Sequence, residues 1–117
     1  MDLPATRLNA EIATAPQLTP DAMAAAAAAG FRSVVNNRPD FEGGPDQPSN
    51  AAIEAAARAA GLEYAFLPVA GGFQTPEQVQ AMAELMERLP KPVLAFCRSG
   101  ARSGRLYALS LEHRQQR

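Results

Sequence analysis

Two stretches of the chain repeat the same order of features: an alanine-rich run, a glycine, and a run of β-branched or aromatic residues. They are AAAAAAGFRSVV and AAARAAGLEYAF, with Gly30 and Gly61 in equivalent places. Alanine has the highest helix propensity and glycine commonly ends a helix, whereas valine, phenylalanine and tyrosine favour strands. Each stretch therefore predicts a helix followed by a strand. Such alternation restricts the chain to a mostly parallel sheet covered by helices.

Helix start signals and further apolar runs extend this alternation. The triplets TPD (residues 19–21) and TPE (residues 75–77) each combine a capping hydroxyl, a proline and an acidic residue, and Ser49 or Asn50 can cap a helix between them. The remaining segments are strands FRSVVNN, EYAFLPV and VLAF, a candidate strand in AEIATAP, and a final helix in SGRLYALSLEH. The sequence predicts one α/β domain over residues 1–117, with four or five mostly parallel strands and helices on both faces.

Composition and charge narrow the classes of function. A net charge of −1 argues against general nucleic-acid binding, and the longest apolar stretch, residues 22–29, is far too short to cross a bilayer. The start of the chain has no basic and then apolar signal pattern. A single cysteine excludes an internal disulfide and a cysteine-based zinc site, which suits a reducing compartment. We expect a cytoplasmic protein with no metal, cofactor, nucleic acid or membrane partner.

Polar or glycine-rich segments follow three of the predicted strands. They are residues 36–40, residues 70–74 and residues 97–102. In open α/β sheets, sites form beyond the carboxyl ends of parallel strands. The three segments are therefore expected to converge at one edge of the sheet.

The only cysteine lies in AFCRSGARSGR, between the most apolar predicted strand and the last predicted helix. Small residues after Cys97 let the backbone curl so that N–H groups point inward, and the helix adds the positive end of its dipole. Arg102 supplies a permanent cation with a two-pronged donor. These features lower the pKa of a thiol and favour the nucleophilic thiolate. We therefore predict Cys97 and Arg102 as catalytic residues, with an anion-binding loop of Arg98, Ser99, Gly100, Ala101 and Ser103, the last of which can also cap the helix.

The stretch NNRPD, residues 36–40, is a second candidate element of the site. Asn36, Asn37 and Arg38 can bind an anionic group of the substrate or brace the cysteine loop. In the alternative, the asparagines bond to loop backbone and Arg38 pairs with Asp40 or Glu42. Asp40 is a candidate general acid or a turn residue. We favour structural roles for the asparagines and for Asp40, and both roles of Arg38 stay open.

Most of the chain, roughly residues 12–109, resembles one bacterial family, the phosphatase-like domain of beta-lactamase hydrolase-like proteins, also called DUF442. The stretches that carry the resemblance are PQLTP, GFRSVVNNRPD, AAARAAGLEYAFLPV, TPEQV and PVLAFCRSGARS. The cysteine loop also resembles those of rhodanese-type sulfurtransferases and cysteine-dependent phosphatases. The resemblance implies the fold of dual-specificity phosphatases, and either sulfur transfer or phosphatase chemistry. In related proteins the domain is fused to sulfide-oxidising modules, which implies partners of that kind.

Two departures from the phosphatase pattern favour sulfur transfer. Phosphatases of the cysteine class resemble one another in a loop of Cys, five residues and Arg, whereas four residues separate Cys97 from Arg102 here. In dual-specificity phosphatases a catalytic aspartate follows a strand that ends much like FLPV, and here AGG follows. Asp40 or Glu42 could substitute for that acid, but transfer of sulfur from thiosulfate needs none.

We therefore expect a sulfurtransferase in which the Cys97 thiolate takes the outer sulfur of thiosulfate or a persulfide, and a thiol or cyanide then removes it. The alternatives are a cysteine-dependent phosphatase of the tyrosine or dual-specificity type, and a non-enzymatic persulfide carrier for a sulfide-oxidising partner. Carrier and enzyme need the same loop, so the sequence does not separate them.

Overall fold

Five strands and four helices alternate along the chain in the computed structural model, which describes residues 2–116. The strands are β1 (Thr6–Arg7), β2 (Ile12–Ala15), β3 (Ser33–Asn36), β4 (Glu63–Phe66) and β5 (Val93–Phe96). The helices are α1 (Ala22–Ala28), α2 (Asn50–Ala59), α3 (Pro76–Arg88) and α4 (Ala101–Gln115). In this part of the chain, no helix has the length and apolar character needed to cross a membrane.

The strands form one sheet in the order β1-β2-β5-β3-β4. All neighbours pair in parallel except β1, which pairs antiparallel with β2. The predicted α/β fold with a mostly parallel sheet is confirmed, and AEIATAP does contain a strand. The two exposed residues of β1 were not predicted, because so short an edge strand has no apolar pattern.

Helices pack on both faces of the sheet, as predicted. Successive side chains of a strand point to opposite faces, so Val34 and Leu94 pack with α1 and α2, whereas Val35 and Ala95 pack with α3 and α4. The four residues of β5 are all buried, which agrees with its uniformly apolar sequence. Met82 and Met86 of α3 belong to the second of these cores.

The helix starts agree with the sequence at α2 and α3 and differ at α1 and α4. Ser49 Oγ accepts from the backbone N–H of Ala52 at the start of α2. At α1 the expected cap was wrong: the helix begins after Asp21, without a side-chain cap, and TPD forms a preceding turn. Helix α4 begins two residues before the predicted SGR, so Ser103 lies inside the helix and does not cap it; the capping position is Gly100.

Strand β5 is central, with β2 on one side and β3 on the other. The helix that follows β3 is α2, on one face of the sheet, and the helix that follows β5 is α4, on the other face. After β3 and after β5 the chain therefore turns toward opposite faces of the sheet, which opens a crevice at the carboxyl ends of these two strands. Cys97 follows β5 and Asn37 follows β3, so both lie at this crevice.

Candidate active site

The cysteine loop curls tightly between β5 and α4. The backbone N–H of Gly100 points at Cys97 Sγ, with 3.1 Å between nitrogen and sulfur. Gly100 has a φ of 98°, a conformation that favours glycine, and a Cβ on it would lie 3.3 Å from the carbonyl oxygen of Ala15. Glycine is thus required here for both conformation and space. Cys97 itself is only 1% exposed, whereas the neighbouring Arg98 and Ser99 are exposed.

Two opposing effects set the pKa of the Cys97 thiol. Burial raises the pKa, because it disfavours the charged thiolate. The backbone N–H and the hydroxyl of Ser103 lower it, together with the backbone N–H groups of Gly100 and Ser99. The donors outweigh burial, so the pKa lies below the ordinary value of 9.0. The loop therefore favours the nucleophilic form of the thiol.

Arg102 extends from the first turn of α4 and is held on one edge of its guanidinium group. Nη1 donates to Glu42 Oε2 at 3.1 Å and to the carbonyl oxygen of Val69 at 3.0 Å, and Nη2 donates to Glu42 Oε1 at 3.1 Å. The side chain is 10% exposed, and its Nε is buried without a hydrogen-bond partner among residues 2–116. A buried donor without a partner is costly, so the free Nε edge is a place where an anion would be stabilised.

Bare backbone lies against this guanidinium group. A Cβ at Gly71 would be 3.2 Å from Arg102 Nη2 and 3.7 Å from Nε. The segment AGG after β4 therefore leaves room for the arginine. Dual-specificity phosphatases, whose fold the resemblance implies, have their catalytic aspartate in the corresponding stretch. This gives a steric reason why no acidic side chain stands at Gly71.

Glu42 bridges two arginines. Besides Arg102 it accepts from Arg38 Nε at 2.9 Å. Partial burial raises the pKa of Glu42, but the hydrogen bonds and charges of the two arginines outweigh this and lower it below its ordinary value of 4.5. Glu42 is therefore a carboxylate at neutral pH and holds no proton to donate.

Arg38 and Asp40 stabilise the loop that contains Glu42. Arg38 Nη1 donates to Gln17 Oε1 at 3.1 Å, so the pairing of Arg38 is with Glu42 and not with Asp40. Asp40 Oδ1 accepts from the backbone N–H of Asn50 at 2.7 Å, at the first residue of α2. The structure thus brings Glu42, and not Asp40, to Arg102.

The two asparagines after β3 are buried and bonded. Asn36 accepts from the backbone N–H of Arg38 and donates to the Tyr64 hydroxyl at 3.1 Å. Asn37 accepts from the Ser103 hydroxyl at 2.8 Å and donates to the carbonyl oxygen of Leu67 at 3.0 Å. Asn37 therefore braces the start of α4, where Ser103 lies.

The three predicted segments do meet at one edge of the sheet: Gly71 lies against Arg102, and Asn37 is hydrogen-bonded to Ser103, the residue after Arg102. Sequence reasoning missed Gln17, whose backbone N–H donates to the carbonyl oxygen of Arg98. Gln17 comes two residues after β2, so the carboxyl-end rule that found the other segments could have found it.

Two exposed phenylalanines lie close in sequence to residues that contact the arginine. Phe41 precedes Glu42, is 78% exposed and has a φ of 65°, which is unusual for a bulky residue. Phe73 lies two residues after Gly71 and is 56% exposed. An exposed aromatic residue in a strained conformation points to a role outside the core.

Curated relatives match most of this chain. A "Beta-lactamase hydrolase-like protein" of Xylella fastidiosa (strain Temecula1 / ATCC 700964) is 43% identical over 103 residues, which are 88% of this chain and 24% of the relative. A protein of the same name from Agrobacterium fabrum is 38% identical over 115 residues, 97% of this chain and 26% of the relative. The chain spans about a quarter of the length of these relatives.

Solved structures share the fold. A candidate phosphatase from Neisseria meningitidis superposes with a TM-score of 0.82 at 29% identity, covering 91% of this chain and 75% of that protein. A mutant form of Tk-PTP superposes with a TM-score of 0.74 at 21% identity, covering 97% of this chain and 73% of that protein. The fold is thus phosphatase-like, as the resemblance implied.

A family profile accounts for nearly the whole chain. The profile described as "Beta-lactamase hydrolase-like protein, phosphatase-like domain" matches residues 5–113. That range contains every site residue described above. The chain belongs to the family of phosphatase-like domains of beta-lactamase hydrolase-like proteins.

Proposed function

We propose that this chain is a cysteine-dependent phosphatase acting on phosphate monoesters. The observation that carries the proposal is Arg102, nine-tenths buried, with an Nε donor that has no partner and a position five residues from the thiol. A phosphoryl oxygen would satisfy that donor, and the backbone N–H groups of the cysteine loop would hold the others. The family and the phosphatase-like fold support this reading over the sulfur transfer favoured by the loop spacing.

The reaction would run in two displacements. The Cys97 thiolate attacks phosphorus, an S–P bond forms, and the P–O bond to the leaving group breaks with its electron pair on oxygen. Water then attacks the phosphorus, the S–P bond breaks, and the thiolate is restored. Inorganic phosphate and the proton from water are released. Arg102 stabilises the charge on the phosphoryl oxygens in both steps.

The leaving group has to depart without a strong acid. Glu42 is held as a carboxylate by two arginines, Asp40 is bonded at the start of α2, and AGG after β4 carries no acidic side chain. Aryl oxides leave without protonation far more readily than alkoxides do. Phe41 and Phe73 are exposed and neighbour in sequence the residues that contact Arg102, so they are the candidates for apolar contact with an aryl group. We therefore propose aryl phosphates, the tyrosine type of substrate, ahead of alkyl phosphates.

The test compares p-nitrophenyl phosphate with β-glycerophosphate in a phosphate-release assay. We expect turnover of the aryl ester, loss of it in Cys97→Ser, and a fall in kcat/KM on the order of 100-fold in Arg102→Lys. Arg105→Lys, an exposed change of the same kind one turn along α4, is the matched control and should leave turnover unchanged. Absence of phosphate release that depends on Cys97 would overturn the proposal.

Sulfur transfer is the second candidate, for two reasons. Only four residues separate Cys97 from Arg102, and the carboxylate of Glu42 at Arg102 has no proton to donate to a leaving group. The thiolate would take the outer sulfur of thiosulfate and release sulfite, and cyanide would remove that sulfur as thiocyanate. A carrier would load sulfur in the same way but turn over slowly with small acceptors. A sulfide-oxidising partner and a cytoplasmic location stay predictions from the sequence.

Intact mass separates the two candidates. Reduced protein is exposed briefly to thiosulfate or glutathione persulfide, beside Cys97→Ser. A gain of one sulfur that needs Cys97, disappears with cyanide and is accompanied by no ester hydrolysis would replace the phosphatase with a sulfurtransferase. No gain, with ester hydrolysis present, supports the phosphatase.

A further inference from the structure

The hydroxyl of Tyr64 joins the two ends of the loop that contains Glu42. This loop, the Glu42 loop, covers residues 37–49 between β3 and α2. Asn36, the last residue of β3, donates to the Tyr64 hydroxyl through Nδ2 at 3.1 Å. The hydroxyl in turn donates to Oδ1 of Asn50, the first residue of α2, at 2.6 Å. One side chain of β4 therefore closes the loop at its base.

The direction of these hydrogen bonds is fixed by the groups around them. Asn36 Oδ1 accepts from the backbone N–H of Arg38 at 2.9 Å, so the Nδ2 group of Asn36 is the one that faces Tyr64. The hydroxyl accepts that bond, and its single proton is left for Asn50. Tyr64 is only 8% exposed, and burial raises its pKa to about 12. The hydroxyl therefore keeps its proton at neutral pH and donates it to the start of α2.

The two asparagines bonded to this hydroxyl also hold the inside of the loop. Asn36 holds Arg38 through the backbone bond just described, and the backbone N–H of Asn50 donates to Asp40 Oδ1 at 2.7 Å. Arg38 Nε donates to Glu42 Oε1 at 2.9 Å. The residues that precede Glu42 are thus fixed to both ends of the loop, and the hydroxyl joins those ends.

Glu42 in turn orients the arginine of the cysteine loop. Its two carboxylate oxygens accept from Nη1 and Nη2 of Arg102, each at 3.1 Å. Two parallel hydrogen bonds of this kind restrict the orientation of the guanidinium group and leave its Nε edge open. An anion that meets an arginine already held in place avoids the cost of ordering that side chain. The position of Glu42 therefore contributes to anion binding at the Nε edge.

We propose that Tyr64 is a positioning residue: its hydroxyl holds the Glu42 loop, and that loop holds Arg102 in the orientation that binds the phosphoryl group of the substrate. The inference rests on the proposed function, because it concerns the arginine that would stabilise the phosphoryl oxygens. It gives a task to a side chain of β4, a strand that contains none of the site residues predicted from the sequence.

The test measures how well inorganic phosphate protects Cys97 from alkylation by iodoacetamide, followed by intact mass at constant pH and ionic strength. Protection reports an anion at the cysteine loop and needs no hydrolysis. Tyr64→Phe removes the hydroxyl and keeps the ring. We expect half-protection to require roughly fivefold more phosphate, the effect of one net hydrogen bond. The value of kcat/KM for p-nitrophenyl phosphate should fall by a similar factor.

Tyr107→Phe is the matched control. Tyr107 is 4% exposed, and its hydroxyl accepts from the side-chain amide of Asn9 and donates to the carboxylate of Glu11. The substitution therefore removes a hydroxyl with the same number of partners, but at the amino end of β2 and away from the Glu42 loop. Protection by phosphate and kcat/KM should stay at the values of the unmodified protein, although the free energy of unfolding falls in this variant as well.

A double-mutant cycle with Glu42→Ala separates positioning from a general loss of stability. In the Glu42→Ala background the loop has no carboxylate to place on Arg102, so Tyr64→Phe should have no further effect on protection. Each comparison is made within one background, so the lost charge of Glu42 cancels. The inference alone is overturned, and the proposed function stands, if protection falls equally in both backgrounds or if Tyr64→Phe is protected as well as the unmodified protein or better.

The same assay distinguishes failure of the proposed function. If phosphate does not protect Cys97 in the unmodified protein, the phosphatase and this inference are both overturned. If Tyr64→Phe does not fold, Asn50→Ala takes its place, since it removes the acceptor of the same hydrogen bond and keeps the buried ring. A weakening of roughly fivefold in Asn50→Ala then supports the inference, and unchanged protection overturns it.

Discussion

Gly100 and Gly104 lie about one helical turn apart, but only the first of these positions requires glycine. Gly100 has a φ of 98° and approaches the carbonyl oxygen of Ala15, so a side chain would be strained and crowded. Gly104 lies inside α4, and a Cβ there would meet only Thr14 Cγ2, at 4.0 Å. From the sequence both were simply glycines of the stretch SGARSG. Only the path of the backbone shows that one is required and the other is not.

The two alanine substitutions should therefore change stability in opposite directions. Gly100→Ala should lower the free energy of unfolding by about 2 kcal/mol, through the strained conformation and the displaced loop. Gly104→Ala should raise it by about 0.5–1 kcal/mol, because alanine is the better helix former. Urea unfolding followed by circular dichroism measures both. A loss of equal size in the two variants would show that helix α4 tolerates no added methyl group, and would contradict the account of Gly104.

At the scale of elements, similar start signals have different structures. TPD and TPE both predict a capped helix, yet only Thr75 makes the reciprocal bonds with Gln78 that define a capping box. In TPD the third residue is followed by alanine and methionine, so no side chain three positions after Thr19 can return a bond. Helix α1 begins after Asp21 instead.

This difference predicts unequal costs for the same substitution. Thr75→Ala should lower the free energy of unfolding by about 1 kcal/mol, since it removes a side-chain cap. Thr19→Ala, at an exposed threonine that caps no helix, should change it little. Thermal and urea unfolding of the two variants give the comparison. Equal losses would mean that the Thr19 side chain stabilises the preceding turn.

The order of helices and strands was predictable because apolar periodicity and helix signals are local. The meeting of segments at one sheet edge was predictable because parallel strands share a direction. The hydrogen-bond partners within the site were not predictable, because they are far apart in sequence. Arg102 and Glu42 are separated by 60 positions, and Asn37 and Ser103 by 66. Asp40 and Glu42 are both acidic residues of one loop, and only the path of that loop selects Glu42.

At the scale of the whole molecule, two carboxylates join distant parts of the chain. Glu11 accepts from the Tyr107 hydroxyl and from Arg114, which ties the start of β2 to the end of α4. Burial raises the pKa of Glu11, but these partners outweigh it and lower the pKa below 4.5. Glu42 has a lowered pKa for a similar reason. Since the folded pKa lies below the unfolded one, the stabilisation is complete above 4.5 and is lost as pH falls through the folded value.

We therefore expect the free energy of unfolding to fall steadily as pH drops below about 4.5. Glu11→Gln should be less stable at neutral pH and should lose less on acidification, because one of the two linked carboxylates is gone. Glu84→Gln, a change at an exposed carboxylate on α3, is the control. Urea unfolding at a series of pH values measures the slopes. Parallel curves for Glu11→Gln and the unmodified protein would contradict the linkage.

The central place of β5 has a consequence for local opening of the native state. Its backbone is hydrogen-bonded to strands on both sides, and Cys97 is the next residue, so amide protons here should exchange last. Glu42 lies in the exposed part of the loop between β3 and α2, where exchange should be faster than in β5. The thiol is thus attached to the part of the molecule that opens only with global unfolding, and the carboxylate bound to Arg102 is attached to a part that opens alone. A fluctuation of that loop would expose the arginine to an incoming anion while the nucleophile stays in place.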